Sequence, residues 1–343
     1  MGRLVVALTF NLHENERVFV LIRDRSPPTI KVPLRLGTRA SALAQWQAGW
    51  VAARLREQGH KVELIHITTE GDKTQGPTAQ SSEGAPISGL GGVGVFTKEL
   101  QRALLDNRID LAVHSLKDLP TDKVEGLSLA AVPERESVFD VLVGRQGHSL
   151  EQLPHGLVVG TGSLRRRAQL LYVRPDLRMA DVRGNVDTRL RKLREGQFDA
   201  LVLAEAGLRR LGLTAAITQV LPTTLMLPAV GQGALGIETR GDDAPTLAAV
   251  RALDHRDSHI AVIAERTLLM ALSGGCLAPI GAWARLTADQ ELHLSAVVLA
   301  SDGSERIEAS SVQETSAAEA LGMMVASALL SQGADRLIST ARR

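Results

Sequence analysis

At 343 residues the chain is too long for one average domain and calls for two or three. A net charge of +1 and 3% aromatic residues exclude a globally basic nucleic-acid binder and a stacking platform for single strands. The single cysteine, Cys276, excludes internal disulfides and fits a reducing compartment, and no run is long and apolar enough to span a bilayer.

Residues 1–33 read as an N-terminal extension and are expected to be disordered. A short apolar stretch over 4–10 is followed by Asn11, His13, Glu14 and Glu16 without a small-residue cleavage site, and Ser26-Pro27-Pro28 closes the segment like a linker. Ordered structure is expected from Leu34. A strand over 34–38 leads to a helix over 41–58, with Leu43, Trp46, Val51 and Leu55 mostly on one face and Gly59 as its stop. A strand over 62–68 follows. Residues 71–94, rich in Gly, Ser, Thr and Pro, are too long for a plain connector and read as a mobile lid. A helix over 96–107 then leads to a buried strand over 109–113, which runs into His114-Ser115-Leu116-Lys117-Asp118. In α/β proteins ligands gather beyond the carboxyl ends of strands, so Lys117 and Asp118 stand where chemistry concentrates. Taken alone, they read first as a surface turn before Pro120.

The same grammar restarts near Leu157. A strand over 157–159 enters Gly160-Thr161-Gly162-Ser163 and a helix, and a helix over 186–195 feeds an apolar strand over 198–203. Two equivalent lobes follow, 34–133 with 234–251 and 139–227, with a ligand cleft between them. Crossings near 133–138 and 228–233 would make a hinge. Residues 231–236 formally match G-x-G-x-x-G, but strand-like Ile237-Glu238-Thr239 follows where a dinucleotide site needs a helix. Those glycines read as hinge and close-packing positions. From 252 to 343 the pattern becomes a small α+β domain: a helix over 259–272, Ser273-Gly274-Gly275-Cys276, alternating segments over 280–286, 292–299 and 306–311, and a final helix over 317–332. His255 and His259 have zinc-ligand spacing, but no third ligand accompanies them and Arg256 intervenes.

Three basic clusters stand at equivalent strand ends: Arg39 with Ser41, Ser163 with Arg165 and Arg166, and Arg183-Gly184-Asn185 with Arg189. Free N–H groups and the dipole of a helix start favour an anion, and arginine adds bidentate donors. One such cluster is an ordinary solvated face; three predict a ligand with many carboxylates or phosphates. Cys276, preceded by two glycines, reads either as a small buried hydrophobe or as an accessible attachment point.

In combination, Gly37-Thr38-Arg39-Ala40-Ser41, Ala112-Val113-His114-Ser115-Leu116-Lys117-Asp118, Gly160-Thr161-Gly162-Ser163-Leu164-Arg165-Arg166, Arg183-Gly184-Asn185, Leu227-Pro228-Ala229-Val230-Gly231-Gln232-Gly233 and Gly274-Gly275-Cys276 resemble the porphobilinogen deaminase (hydroxymethylbilane synthase) family, from Leu34 to the end of the chain. The resemblance implies an α/β protein with two periplasmic-binding-protein-like lobes, a hinge and a small C-terminal α+β domain. It implies a transferase of tetrapyrrole biosynthesis that joins four porphobilinogen units, releases ammonia at each step and frees hydroxymethylbilane. Its cofactor would be dipyrromethane, attached covalently to Cys276 and surrounded by Lys117, Asp118, Thr161, Ser163, Arg165, Arg166, Gly184 and Arg189. Catalysis would fall to Asp118 with Lys117, and substrate binding to Arg39, Ser41, Arg183 and Arg189. A cytoplasmic monomer without metal, nucleic-acid or membrane partners is expected.

The residue chemistry agrees. Each porphobilinogen carries an acetate and a propionate, which guanidinium groups can hold. Loss of ammonia leaves an electron-poor azafulvene, ring attack places positive charge on a pyrrole, and a buried carboxylate at Asp118 would steady that charge and pass protons. One departure is the lysine-free stretch 87–94, where many family members carry lysines in the mobile loop. A two-lobed protein that captures a polyanion without reacting is the alternative; it needs neither Asp118 nor Cys276.

Overall fold

A computed structural model describes residues 32–67, 97–272 and 278–342. The expected lid over 71–94, Cys276 and all but the last two residues of the extension lie outside these residues. The first sheet contains β1 (Leu34–Thr38), β2 (Val62–His66), β3 (Leu111–Ser115), β4 (Leu127–Ala131) and β10 (Leu235–Arg240), in the order β2-β1-β3-β10-β4. The second contains β5 (Asp140–Gly144), β6 (Val158–Gly160), β7 (Arg178–Ala180), β8 (Ala200–Ala204) and β9 (Gln219–Leu221), in the order β7-β6-β8-β5-β9. The two orders correspond position by position. Each has three parallel strands and then an antiparallel strand, β10 or β5, which the chain enters on arriving from the other sheet. This is the expected two-lobed α/β plan.

Helices α1 (Ala42–Glu57), α2 (Lys98–Leu105), α3 (Leu164–Val173), α4 (Val186–Arg194), α5 (Glu205–Arg210) and α6 (Ala244–Arg251) accompany these sheets. Ser41 and Ser163 start α1 and α3 by accepting the N–H groups of Ala44 and Arg166 at 3.4 and 3.5 Å, the usual role of a serine N-cap. Alternate residues Leu34 and Leu36 of β1 pack with Leu111 and Val113 of β3 against Val51 and Leu55 of α1, so strand and helix periods meet in one core. Beyond the lobes, α7 (Arg256–Ala271), the antiparallel strands β11 (Ile280–Leu286), β12 (Glu291–Leu299) and β13 (Arg306–Glu314), α8 (Ala318–Ser331) and α9 (Ala334–Ala341) form the small C-terminal unit. Leu268, Leu292, Leu294, Leu321 and Leu329 fill its core.

Some elements differ from the sequence reading. β3 begins and ends two residues later than expected, because Ile109 and Asp110 bond outside the ladder, to Ala103 O and Arg35 O, while β10 pairs as far as Ser115. α7 begins at Arg256, capped by His255, and His259 bonds Asp254 at 2.7 Å, so the two histidines serve separate local contacts. α8 falls where the final helix was expected, but past Gly333, at φ 91°, a further helix, α9, follows that was not foreseen. Strands β4, β5, β7 and β9 and helices α5 and α6 carried too little periodicity to be foreseen. No helix among the described residues is long and apolar enough to cross a membrane.

The chain passes between the sheets over 132–139 and returns over 222–234. The two crossings lie side by side: Arg135 Nε donates to Gln232 O at 2.8 Å, and Gln232 Nε2 donates to Val138 O at 2.8 Å. Gly233, at φ 85°, fits there because a Cβ would run into the carbonyl oxygens of Glu136 and Ser137.

Candidate active site

β3 ends at Ser115, and Leu116–Asp118 make a single 3-10 turn in which Leu116 is buried, Lys117 half-buried and Asp118 exposed. The turn opens onto a cavity of about 270 Å³ between the sheets. From the first lobe come Arg39, Ser41, Gln47, His114, Ser115, Lys117 and Asp118; from the second come Arg166, Gly184, Asn185, Asp187, Arg189 and Arg210; and Gly231 and Gly233 of the returning crossing close it. The first turns of α1 and α4 also line the cavity, adding N–H groups and positive dipole ends to those cations.

The cations crowd one another. Burial of its ammonium and the charge of Arg166 hold Lys117 down to about 8, against the pull of Asp118 and Asp140. Burial and Arg166 likewise lower Arg189 to about 10, against Asp118. Burial lowers Arg210 to about 10, against Glu136. A ligand bearing several carboxylates would relieve this strain; a neutral or cationic one would not.

Arg166 is aimed from behind. Fully buried Asp140 accepts from Arg166 Nε at 2.9 Å, from Arg165 Nη1 at 2.7 Å and from Gln232 Nε2 at 3.0 Å. Burial pushes the Asp140 carboxyl up, but the charges of Arg165 and Arg166 and the bonds from Arg165 and Gln232 bring it down to about 2. Arg210 is held by donating to Gly233 O at 2.7 Å, and Arg189 by donating to Gly184 O at 2.7 Å.

Arg39, Ser41, Lys117, Asp118, Arg166, Gly184 and Arg189 are thus brought to one cavity. The other expected residues stand elsewhere. Thr161 Oγ1 accepts the N–H of Ser163 at 3.2 Å, and Ser163 caps α3. The Arg165 guanidinium is buried against Asp140 and Leu227 O, 2.6 Å away, rather than lining the cavity. Arg183 is exposed. Asp118, expected as a buried charge, is exposed because only Leu116 of its short turn tucks into the core. Cys276 is outside the described residues. Arg210, Ser115, Gln47 and His114 were not foreseen. Arg210 closes α5, the short helix after β8, so it had no strand-end signal of the kind that marks Lys117 after β3.

Two family profiles match the chain: "Porphobilinogen deaminase, dipyromethane cofactor binding domain" over residues 34–248 and "Porphobilinogen deaminase, C-terminal domain" over 259–331. Among curated relatives, porphobilinogen deaminase of Pelotomaculum thermopropionicum is 47% identical over 316 residues, covering 92% of this chain and 98% of the relative. Porphobilinogen deaminase of Desulforudis audaxviator is 50% identical over 309 residues, covering 90% and 97%. Solved structures with a partial likeness include the methionine binding protein MetQ, at 15% identity and TM-score 0.41 over 64% of this chain and 89% of that one. A periplasmic substrate-binding protein of an ABC transporter from Coxiella burnetii has 15% identity and TM-score 0.39 over 64% and 91%.

Proposed function

This chain belongs to the porphobilinogen deaminase family of transferases, whose larger domain binds a dipyrromethane cofactor, and on that premise we propose that its cleft joins four porphobilinogen units into hydroxymethylbilane with loss of ammonia at each step. The observation that carries this reading is the meeting of Arg39, Lys117, Arg166, Arg189 and Arg210 with the exposed carboxylate of Asp118 at one cavity. Guanidinium and ammonium groups match ligands with two carboxylates per ring, and the exposed carboxylate of Asp118 matches a reaction that develops positive charge on a pyrrole.

The donor set fits the cofactor, whose pyrroles also carry acids: Lys117, Arg166, Arg189 and the N-terminal turn of α4 would hold it, with Cys276 as its attachment. When bound, dipyrromethane supplies a covalent primer for the growing chain. The protein's own residues do the rest. Arg39, Arg189 and Arg210 grip substrate acids and set the ring's orientation. Asp118 accepts the pyrrole N–H, steadies positive charge as ammonia leaves, and carries protons to and from the substrate at its carboxylate oxygens. Lys117 neutralises a substrate acid beside it. The lobes 34–133 with 234–251 and 139–227 would close over the ligand, which suits two side-by-side crossings. The reading carries with it a monomer acting in the cytoplasm.

Intact mass and turnover test it together. The purified protein should be heavier than its sequence by one dipyrrole and convert porphobilinogen, and Cys276→Ser should lose both. A mass equal to the bare sequence, with no conversion, sinks the reading.

A further inference from the structure

One buried polar group at the cavity has no part in that scheme. The His114 side chain, on β3, is 3% exposed, and its Nε2 lies 3.0 Å from Oε2 of Glu238 on β10. The other oxygen, Oε1, accepts Nε2 of Gln101, on α2, at 3.0 Å. All three residues are buried, and His114 also lines the cavity. A histidine in a core is most often a satisfied filler, so the location has to argue for more.

His114 pairs directly with Gly236 across the antiparallel ladder, and Glu238 reaches it diagonally from opposite Ala112. The ladder finishes where Leu116 N donates to Ala234 O at 3.0 Å, immediately before Lys117 and Asp118. β10 is also the first strand after the returning crossing. Any slip or roll of β10 against β3 would therefore move both site residues. Apolar side chains resist such a roll weakly, because dispersion has little direction. A buried carboxylate holding two donors from two different elements resists it strongly, since misalignment leaves desolvated polar atoms unmatched.

We propose that Gln101, Glu238 and His114 form a positioning relay for the turn that carries Lys117 and Asp118, locking the end of β3 to the strand that arrives from the hinge. The relay rests on the reading of the cleft given above. It holds the carboxylate and the ammonium in register with the first lobe while the second lobe moves.

His114→Leu and His114→Gln in the holoenzyme test it, because glutamine restores an N–H donor toward Glu238 and leucine does not. The expected result is a fall in kcat of at least tenfold for His114→Leu with KM within twofold, the dipyrrole mass still present, and most of kcat recovered in His114→Gln. Should His114→Leu fail to fold, Glu238→Gln decides: a fall in kcat of at least fivefold with KM unchanged supports the relay. Wild-type kcat in His114→Leu or Glu238→Gln overturns it, as does an equal loss in both His114 variants that tracks their melting temperatures. Wild-type kcat with full dipyrrole mass sinks the relay alone, whereas a wild-type protein without mass or turnover sinks the reading beneath it.

Discussion

Glu265 of α7 and Arg135 of the first crossing form a buried bidentate ion pair, with Nη1 to Oε1 at 2.7 Å and Nη2 to Oε2 at 3.1 Å. The same carboxylate accepts Gly231 N of the returning crossing at 2.7 Å and Ala284 N of β11 at 2.8 Å. One fully buried side chain therefore joins both crossings to the C-terminal unit. Removing its charge while keeping its shape strands Arg135, so Glu265→Gln should destabilise the protein by about 3 kcal/mol. Denaturant titration measures this, and an unchanged midpoint would refute it.

Burial and Arg166 hold the Lys117 ammonium well below an ordinary lysine. With its ammonium at about 8, it is mostly charged at pH 7 and loses its charge as pH rises through about 8. A bound carboxylate favours the charged form, so KM for porphobilinogen should climb across that interval. Lys117→Arg, charged throughout, should flatten the climb. A wild-type KM that is level from pH 7 to pH 9 contradicts the assignment.

Asp118 is exposed, so its replacement should hardly touch stability. Asp118→Asn is expected to melt within about 0.5 kcal/mol of wild type. Its kcat should fall by roughly 10²–10³-fold, the usual cost of losing one group that stabilises developing charge. Steady-state kinetics beside a thermal melt separate the two effects.

Asp140 ties acid stability to the aim of Arg166. Its carboxyl, at about 2 in the folded protein against an ordinary 3.8, favours the folded state wherever it is ionised. That contribution is complete above about pH 4 and is lost as pH falls through 2. The stability gap between wild type and Asp140→Asn should therefore be widest near neutrality and narrow between pH 4 and pH 2. A gap independent of pH over that range would show that the carboxylate charge is not what matters.

Much of the fold was legible because local rules and the tertiary outcome agree. β1 and β11 fall on the residues their alternation marks, and Ser41 and Ser163 start helices as N-caps do. β3 was misplaced because Ile109 reads as the start of the apolar run; in three dimensions its N–H bonds to Ala103 O, and pairing with β10 continues to Ser115. Among the arginines, spacing could not separate partners of the ligand from partners of the protein. Adjacent Arg165 and Arg166 follow the same strand, yet one is turned into Asp140 and Leu227 O while the other also reaches the cavity.

The chain's order of residues determined by itself which chemistry is present: recurring cations at strand ends, one carboxylate after β3 and a single cysteine. Those are properties of local sequence and survive any reading of the fold. Only the tertiary structure decided which of these groups share a cavity, that Arg210 joins them, and that Asp140, Glu238 and Glu265 hold neighbours rather than ligands. The reason is physical. A charged side chain's role depends on which partner remains within hydrogen-bond reach once water has been excluded, and the partners of Asp140, Glu238 and Glu265 lie from 19 to 137 residues away along the chain.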